Sequence, residues 1–172
     1  MVDIVQKENH TLRGKAGPVA QADFGSEKLH EIIARMSDAL SGENDGVAIA
    51  APQIGIPLRI FVISGKVLRK KRDGSLASDR VFINPEIVNT AQKKEWMEEG
   101  CLSVRWQYGE VERFIKATVR AHDVNGKAFT LGGGRLLSHI FQHEIDHLNG
   151  ILFIDKARNV KEMHPNKPHY GY

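Results

Sequence analysis

The sequence predicts an α+β fold: small antiparallel sheets packed around a buried helix that carries His143, Glu144 and His147, with a second, amphipathic helix outside them. Three observations carry this reading. Residues 26–40 place Leu29, Ile32, Ile33, Met36 and Leu40 at helical spacing. The stretch KATVRAHDVNGKAFT alternates and then turns at Asn125-Gly126, a strong hairpin signal. The stretch RLLSHIFQHEIDHLNG is apolar nearly all round, as a helix inside a core must be.

Taken in chain order, the first helix has Ser26 as its N-cap and Gly42 just past its end. VAIAAPQIGIP is apolar but interrupted by Pro52, Gly55 and Pro57, which predicts a strand or loop against the core. Residues 59–64 and 81–87 read as strands. The basic KVLRKKRDGS segment links them as a solvated hairpin turning at Asp73-Gly74. After the Asn125-Gly126 hairpin, Gly132, Gly133 and Gly134 are expected to break the chain before the last helix, which Asn149 and Gly150 close. Beyond Asp155 the chain is polar and aperiodic, so residues 155–172 are expected to form a peripheral or loose tail on a single catalytic domain spanning 1–172.

The composition, 41% hydrophobic and 26% charged, excludes a disordered chain. No apolar run approaches the ~18 residues of a membrane helix, and the N-terminus lacks the apolar core of a signal peptide, so a cytoplasmic protein is expected. The single cysteine excludes an internal disulfide and leaves Cys101 as a ligand, a nucleophile or a buried apolar residue. The net charge of +3 does not require a phosphate-rich partner. The cluster Arg69, Lys70, Lys71 and Arg72 reads as a solvated hairpin tip, with transient ribosome contact as a further hypothesis; no membrane partner and no specific DNA partner is expected.

The chemistry concentrates in His143-Glu144-Ile145-Asp146-His147, an H-E-x-x-H pattern that puts two imidazoles one turn apart on one helix face. Together they can grip a single ion. A carboxylate between them can take a proton from a water on that ion and pass it to a leaving group. A catalytic site needs a third protein ligand and an open position. His139 is on the same face, but a His139–His147 span of two turns at ~5.4 Å each is long for one ion. Cys101 is the better third ligand, completing a sulfur and nitrogen site suited to iron, zinc or nickel. A zinc endopeptidase and a metal-stapled RNA-binding protein remain alternatives at this point.

Three segments in order, GVAIAAPQ (46–53), EGCLS (99–103) and QHEIDH (142–147), resemble the signature motifs of peptide deformylases, and the resemblance runs from about His10 to Lys156. It implies a peptide-deformylase-like fold and removal of formate from N-formylmethionyl ends of new polypeptides. It implies one divalent ion per chain, ferrous by preference with zinc or nickel able to take its place, held by Cys101, His143 and His147. Glu144 would be the general acid and base, and the Gln53 amide and Leu102 N–H would stabilise the oxyanion. Gly46, Val47 and Ala48 would flank the substrate backbone, with Glu99, Gly100 and Arg113 near the cleft and Leu136 and Ile140 on the wall of a methionine pocket. Glu99 and Asp146 are expected to orient ligands or basic partners. The chain departs from the family at Ala48, where a glycine is usual, and at RWQYGEVER after CLSV, where a proline is usual.

Overall fold

A computed structural model describes residues 2–68, 74–75 and 77–164. Helix α1 (Glu27–Ser41) begins where expected: the Ser26 hydroxyl accepts from the Leu29 N–H at 3.2 Å, and Gly42 closes the other end. Of the stripe the spacing predicts, Leu29, Ile32, Met36 and Leu40 are buried, Ile33 lies partly buried at its margin, and Ala39 joins them. Replacing Ser26 with Ala is expected to cost about 1 kcal/mol, read as a lower urea midpoint at unchanged slope.

Strands β1 (Ala48–Ala50), β2 (Ile60–Ile63), β3 (Arg80–Thr90), β6 (Lys116–His122) and β7 (Ala128–Gly134) form an antiparallel five-stranded sheet in the order β1-β2-β3-β6-β7. Its side chains divide by the period of two. Ile60 and Val62 face the cluster that contains α1, while Phe61 and Ile63 face the one that contains helix α2 (Leu136–Leu148). β2 is therefore buried on both faces, which explains its unbroken apolar run. Phe82 centres the α2-side cluster, stacked on Phe61 at 4.5 Å between ring centroids and edge-on to Phe129 and Phe141.

On the other side of α2 lies a second sheet, β4-β5-β8, built from β4 (Lys94–Cys101), β5 (Val104–Phe114) and β8 (Arg158–Glu162). Its inner face packs with Leu12, Leu152 and Phe153. The helix carrying the HExxH pattern thus sits between two sheets, an α+β arrangement as the sequence predicts. No helix among the described residues is long and apolar enough to cross a membrane.

Two expectations are corrected and one omission is filled. Gly132, Gly133 and Gly134 do not break the chain: they pair with Thr118, Ala117 and Lys116, and the break falls one residue later at Arg135, with φ 42. Strand pairing needs only backbone groups, and a side chain at Gly133 would meet Leu137 at 2.7 Å. The tail is not loose throughout, because Arg158–Glu162 pairs with β5 as an exposed edge strand. Residues 94–114, to which the sequence reading assigns no element, form the long β4–β5 hairpin. Asp73, the Arg69–Arg72 cluster and residues 165–172 lie outside the described residues.

Candidate active site

His143 and His147 lie on consecutive turns of α2, their ring centroids 4.9 Å apart. Cys101 ends β4 directly before the two-residue turn Leu102-Ser103 that leads into β5. That turn brings the sulfur over the helix, with Sγ 3.2 Å from His147 Nε2. The three ligand atoms of Cys101, His143 and His147 all lie within 4.8 Å of one another. Metal bonds of ~2.3 Å to sulfur and ~2.0–2.1 Å to nitrogen span such a triangle.

The surroundings hold these groups in place. The Ser103 N–H donates to Cys101 Sγ at 3.4 Å. Gln53, within the single 3₁₀ turn Ala51–Ile54 that follows β1, accepts from the Ala50 N–H at 2.8 Å through Oε1. Its Nε2 therefore points at Ser103 Oγ (3.2 Å) and Cys101 Sγ (3.7 Å). Gln6 donates to the Leu102 carbonyl at 3.1 Å and so fixes the turn.

Glu99 is the hub behind the ligands. Its Oε2 lies 2.7 Å from His143 Nδ1, which leaves Nε2 facing the cluster. Its Oε1 lies 2.6 Å from His139 Nε2, and Arg113 donates to both oxygens at 2.6 and 3.1 Å. Arg113 also donates to Asp146 at 2.6 Å, and Asp146 in turn accepts from Lys156. Burial opposes the charge on Glu99, but hydrogen bonds from His139, His143 and Arg113 outweigh it and hold the carboxyl below its ordinary range. Burial likewise opposes the charge on Arg113, and Glu99 and Asp146 more than compensate.

Glu144 has a different environment. It is 4% exposed, and its Oε2 has no hydrogen-bond partner among the described residues. Burial pushes it up to about 7, with His143 working against that shift and Glu99 adding to it. A carboxyl poised there can both take and give a proton near neutral pH. His147 is held well below its ordinary value, by burial first and by neighbouring His143 second, and so offers a lone pair to a cation.

Cys101, His143 and Glu144 open onto a cleft of about 340 Å³, whereas His147 is buried and is not part of its lining. Of the residues singled out in the sequence, Gly46, Val47, Ala48, Gln53, Glu99, Gly100, Cys101, Leu102, Leu136, Ile140, His143 and Glu144 line it. Arg113 does not: it is 4% exposed and packed behind Glu99, because a guanidinium with two carboxylates in reach is drawn inward. His139 binds Glu99 and stands outside the cluster of three ligands. Gly46 is small for a packing reason, since a Cβ there would meet Leu40 Cδ1 at 2.9 Å. Gly100 gives way to Tyr108, whose ring a Cβ would strike at 2.6 Å. β1 is the edge of its sheet, so one side of its backbone is not paired within that sheet. Sequence reasoning missed His139 as a partner of Glu99, although its position one turn before His143 was the available signal.

The family model described as Polypeptide deformylase matches residues 1–163. The peptide deformylase of Borreliella burgdorferi is 36% identical over 154 residues, covering 90% of this chain and 86% of that protein. The one from Halothermothrix orenii is 41% identical over 151 residues, covering 88% and 90%. Among solved structures, an actinonin-bound class I type b peptide deformylase from Acinetobacter baumannii superposes with a TM-score of 0.81 at 30% identity, covering 91% of this chain and 98% of that one. An actinonin complex of the Synechococcus elongatus enzyme gives 0.78 at 34% identity, covering 92% and 79%. Matched along nearly its whole described length in sequence and in fold, the chain belongs to the peptide deformylase family, metal-dependent hydrolases that remove the formyl group from nascent polypeptides.

Proposed function

We propose that Cys101, His143 and His147 hold a divalent ion, ferrous in the native protein and replaceable by zinc or nickel, and that the cleft beside them takes an N-formylmethionyl peptide. The convergence of one sulfur and two imidazoles from distant segments carries this reading. The donor set suits the ion: two nitrogens and one thiolate leave a further position for water or substrate. The unpartnered Glu144 Oε2 beside them is a buried acceptor that lacks only a proton donor.

A bound ion supplies Lewis acidity to a water and to the formyl oxygen. Glu144 takes the proton from the attacking water and delivers it to the departing amine. The Gln53 Nε2 and the Leu102 N–H donate to the formyl oxygen as it gains charge, Gln53 being preset by its bond from Ala50. The peptide runs extended along the free side of β1, pairing with the Gly46–Ala48 backbone like an added strand. Leu136 and Ile140 flank its methionine side chain, and Glu99 and Gly100 line the same cleft. Arg113 acts through Glu99 instead of touching substrate. A Met-Ala-Ser complex of the Acinetobacter baumannii enzyme supports a peptide in the corresponding cleft. The work belongs in the cytoplasm, where new chains emerge and contact with the ribosome is transient.

Metal-loaded protein is expected to release formate from formyl-Met-Ala and to leave a casein-like substrate intact. Internal cleavage without formate would replace this reading with that of an endopeptidase.

A further inference from the structure

The β4–β5 ladder skips beside the cleft. Cys101 pairs with Val104 and Gly100 with Tyr108, so Arg105, Trp106 and Gln107 bulge on the β4 side of β5, while Gln107 stays paired with Glu162 of β8 on the other. All three line the cleft. Trp106 lies at φ 64, a conformation that glycine adopts freely and a bulky residue adopts only against a steric penalty.

The bulge is fixed from several sides. The Arg105 guanidinium pairs with Glu43 and reaches Asp45 at 3.4 Å, on the loop that leads into Gly46. The same guanidinium lies 5.4 Å from the centroid of the Trp106 ring. From behind, the Met163 N–H donates to the Trp106 carbonyl at 2.8 Å, and the His164 ring is 6.0 Å from the indole. Trp106 takes no part in any of the three apolar clusters of the core. An indole is thus held against its backbone preference in the wall of the cleft, where packing of the core does not call for it.

We propose that Trp106 is a specificity residue: its ring contacts the side chain of the second or third substrate residue and favours apolar or aromatic side chains there over small polar ones. This rests on the placement of the peptide along β1. From the metal end, β1 read backwards leads through Ala48 and Gly46 to Asp45, the partner of Arg105. An extended peptide advances ~3.3 Å per residue, so residues following the formylmethionine reach the level of that contact. Glu43 and Asp45 already neutralise Arg105, so the wall offers apolar surface to the substrate in place of a free positive charge.

The test compares kcat/KM of metal-loaded wild type, Trp106→Gly and Trp106→Phe on formyl-Met-Ala-Ser, formyl-Met-Phe-Ser and formyl-Met-Ala-Phe. Wild type is expected to prefer one of the Phe peptides about three- to tenfold, mainly through KM. Trp106→Gly should reduce that ratio to near one, and Trp106→Phe should keep part of it. Because glycine accepts this backbone freely, Tm of Trp106→Gly should hold or rise. No preference in wild type, a preference that survives in Trp106→Gly, or an equal loss on all three peptides would overturn the proposal. Absence of formate from every peptide with wild type would refute the underlying activity instead.

Discussion

Replacing Glu144 with Gln is expected to lower kcat about 10²–10⁴-fold while leaving bound metal and fold in place. The substitution is nearly isosteric, and Glu144 is not one of the three converging ligands, so the metal site should survive it. What is lost is proton transfer. The carboxyl is buried, unpartnered at Oε2 and shifted up to about 7, and an amide at the same place can neither accept the proton of the water nor return it. The measurement is formate release by single-turnover kinetics, alongside metal analysis of the same preparation. Full activity in a metal-replete Glu144→Gln protein would remove Glu144 from the chemistry.

Replacing Arg113 with Ala should destabilise the protein by about 3–5 kcal/mol, because it leaves buried carboxylate charge without its guanidinium. Glu99 is 3% exposed and would keep only His139 and His143 as partners, and Asp146 would keep Lys156. Metal affinity should also fall about 10–100-fold, since Glu99 fixes the orientation of His143. Urea unfolding and competitive metal titration measure the two effects. A substrate-contacting Arg113, the role the family resemblance implies, predicts a different pattern: a raised KM with stability and metal affinity untouched.

That contrast marks where the sequence is legible and where it is not. α1 and α2 announce themselves because one-sided or all-round burial imposes a spacing on apolar residues. His143, Glu144, His147 and Cys101 stand out because few residue types can hold a metal and move its proton. The fate of Arg113 does not show, because its partners Glu99 and Asp146 lie 14 and 33 residues away and only the fold brings them together. His139 meets Glu99 in the same way, across the gap between α2 and β4. β8 has no apolar alternation to betray it, every residue of Arg158–Glu162 being exposed and held by backbone pairing. The glycines at 132–134 mislead for the converse reason, since residues without side chains can still complete a ladder.

X-ray absorption on the anaerobically iron-loaded protein tests the metal site most directly. It should give one sulfur scatterer at about 2.3 Å with nitrogen or oxygen scatterers nearer the ion, at about 2.0–2.1 Å. The chain has a single cysteine, so loss of that sulfur shell in Cys101→Ser would assign it to Cys101. A stoichiometric ion surrounded only by nitrogen and oxygen in the wild type would contradict the site.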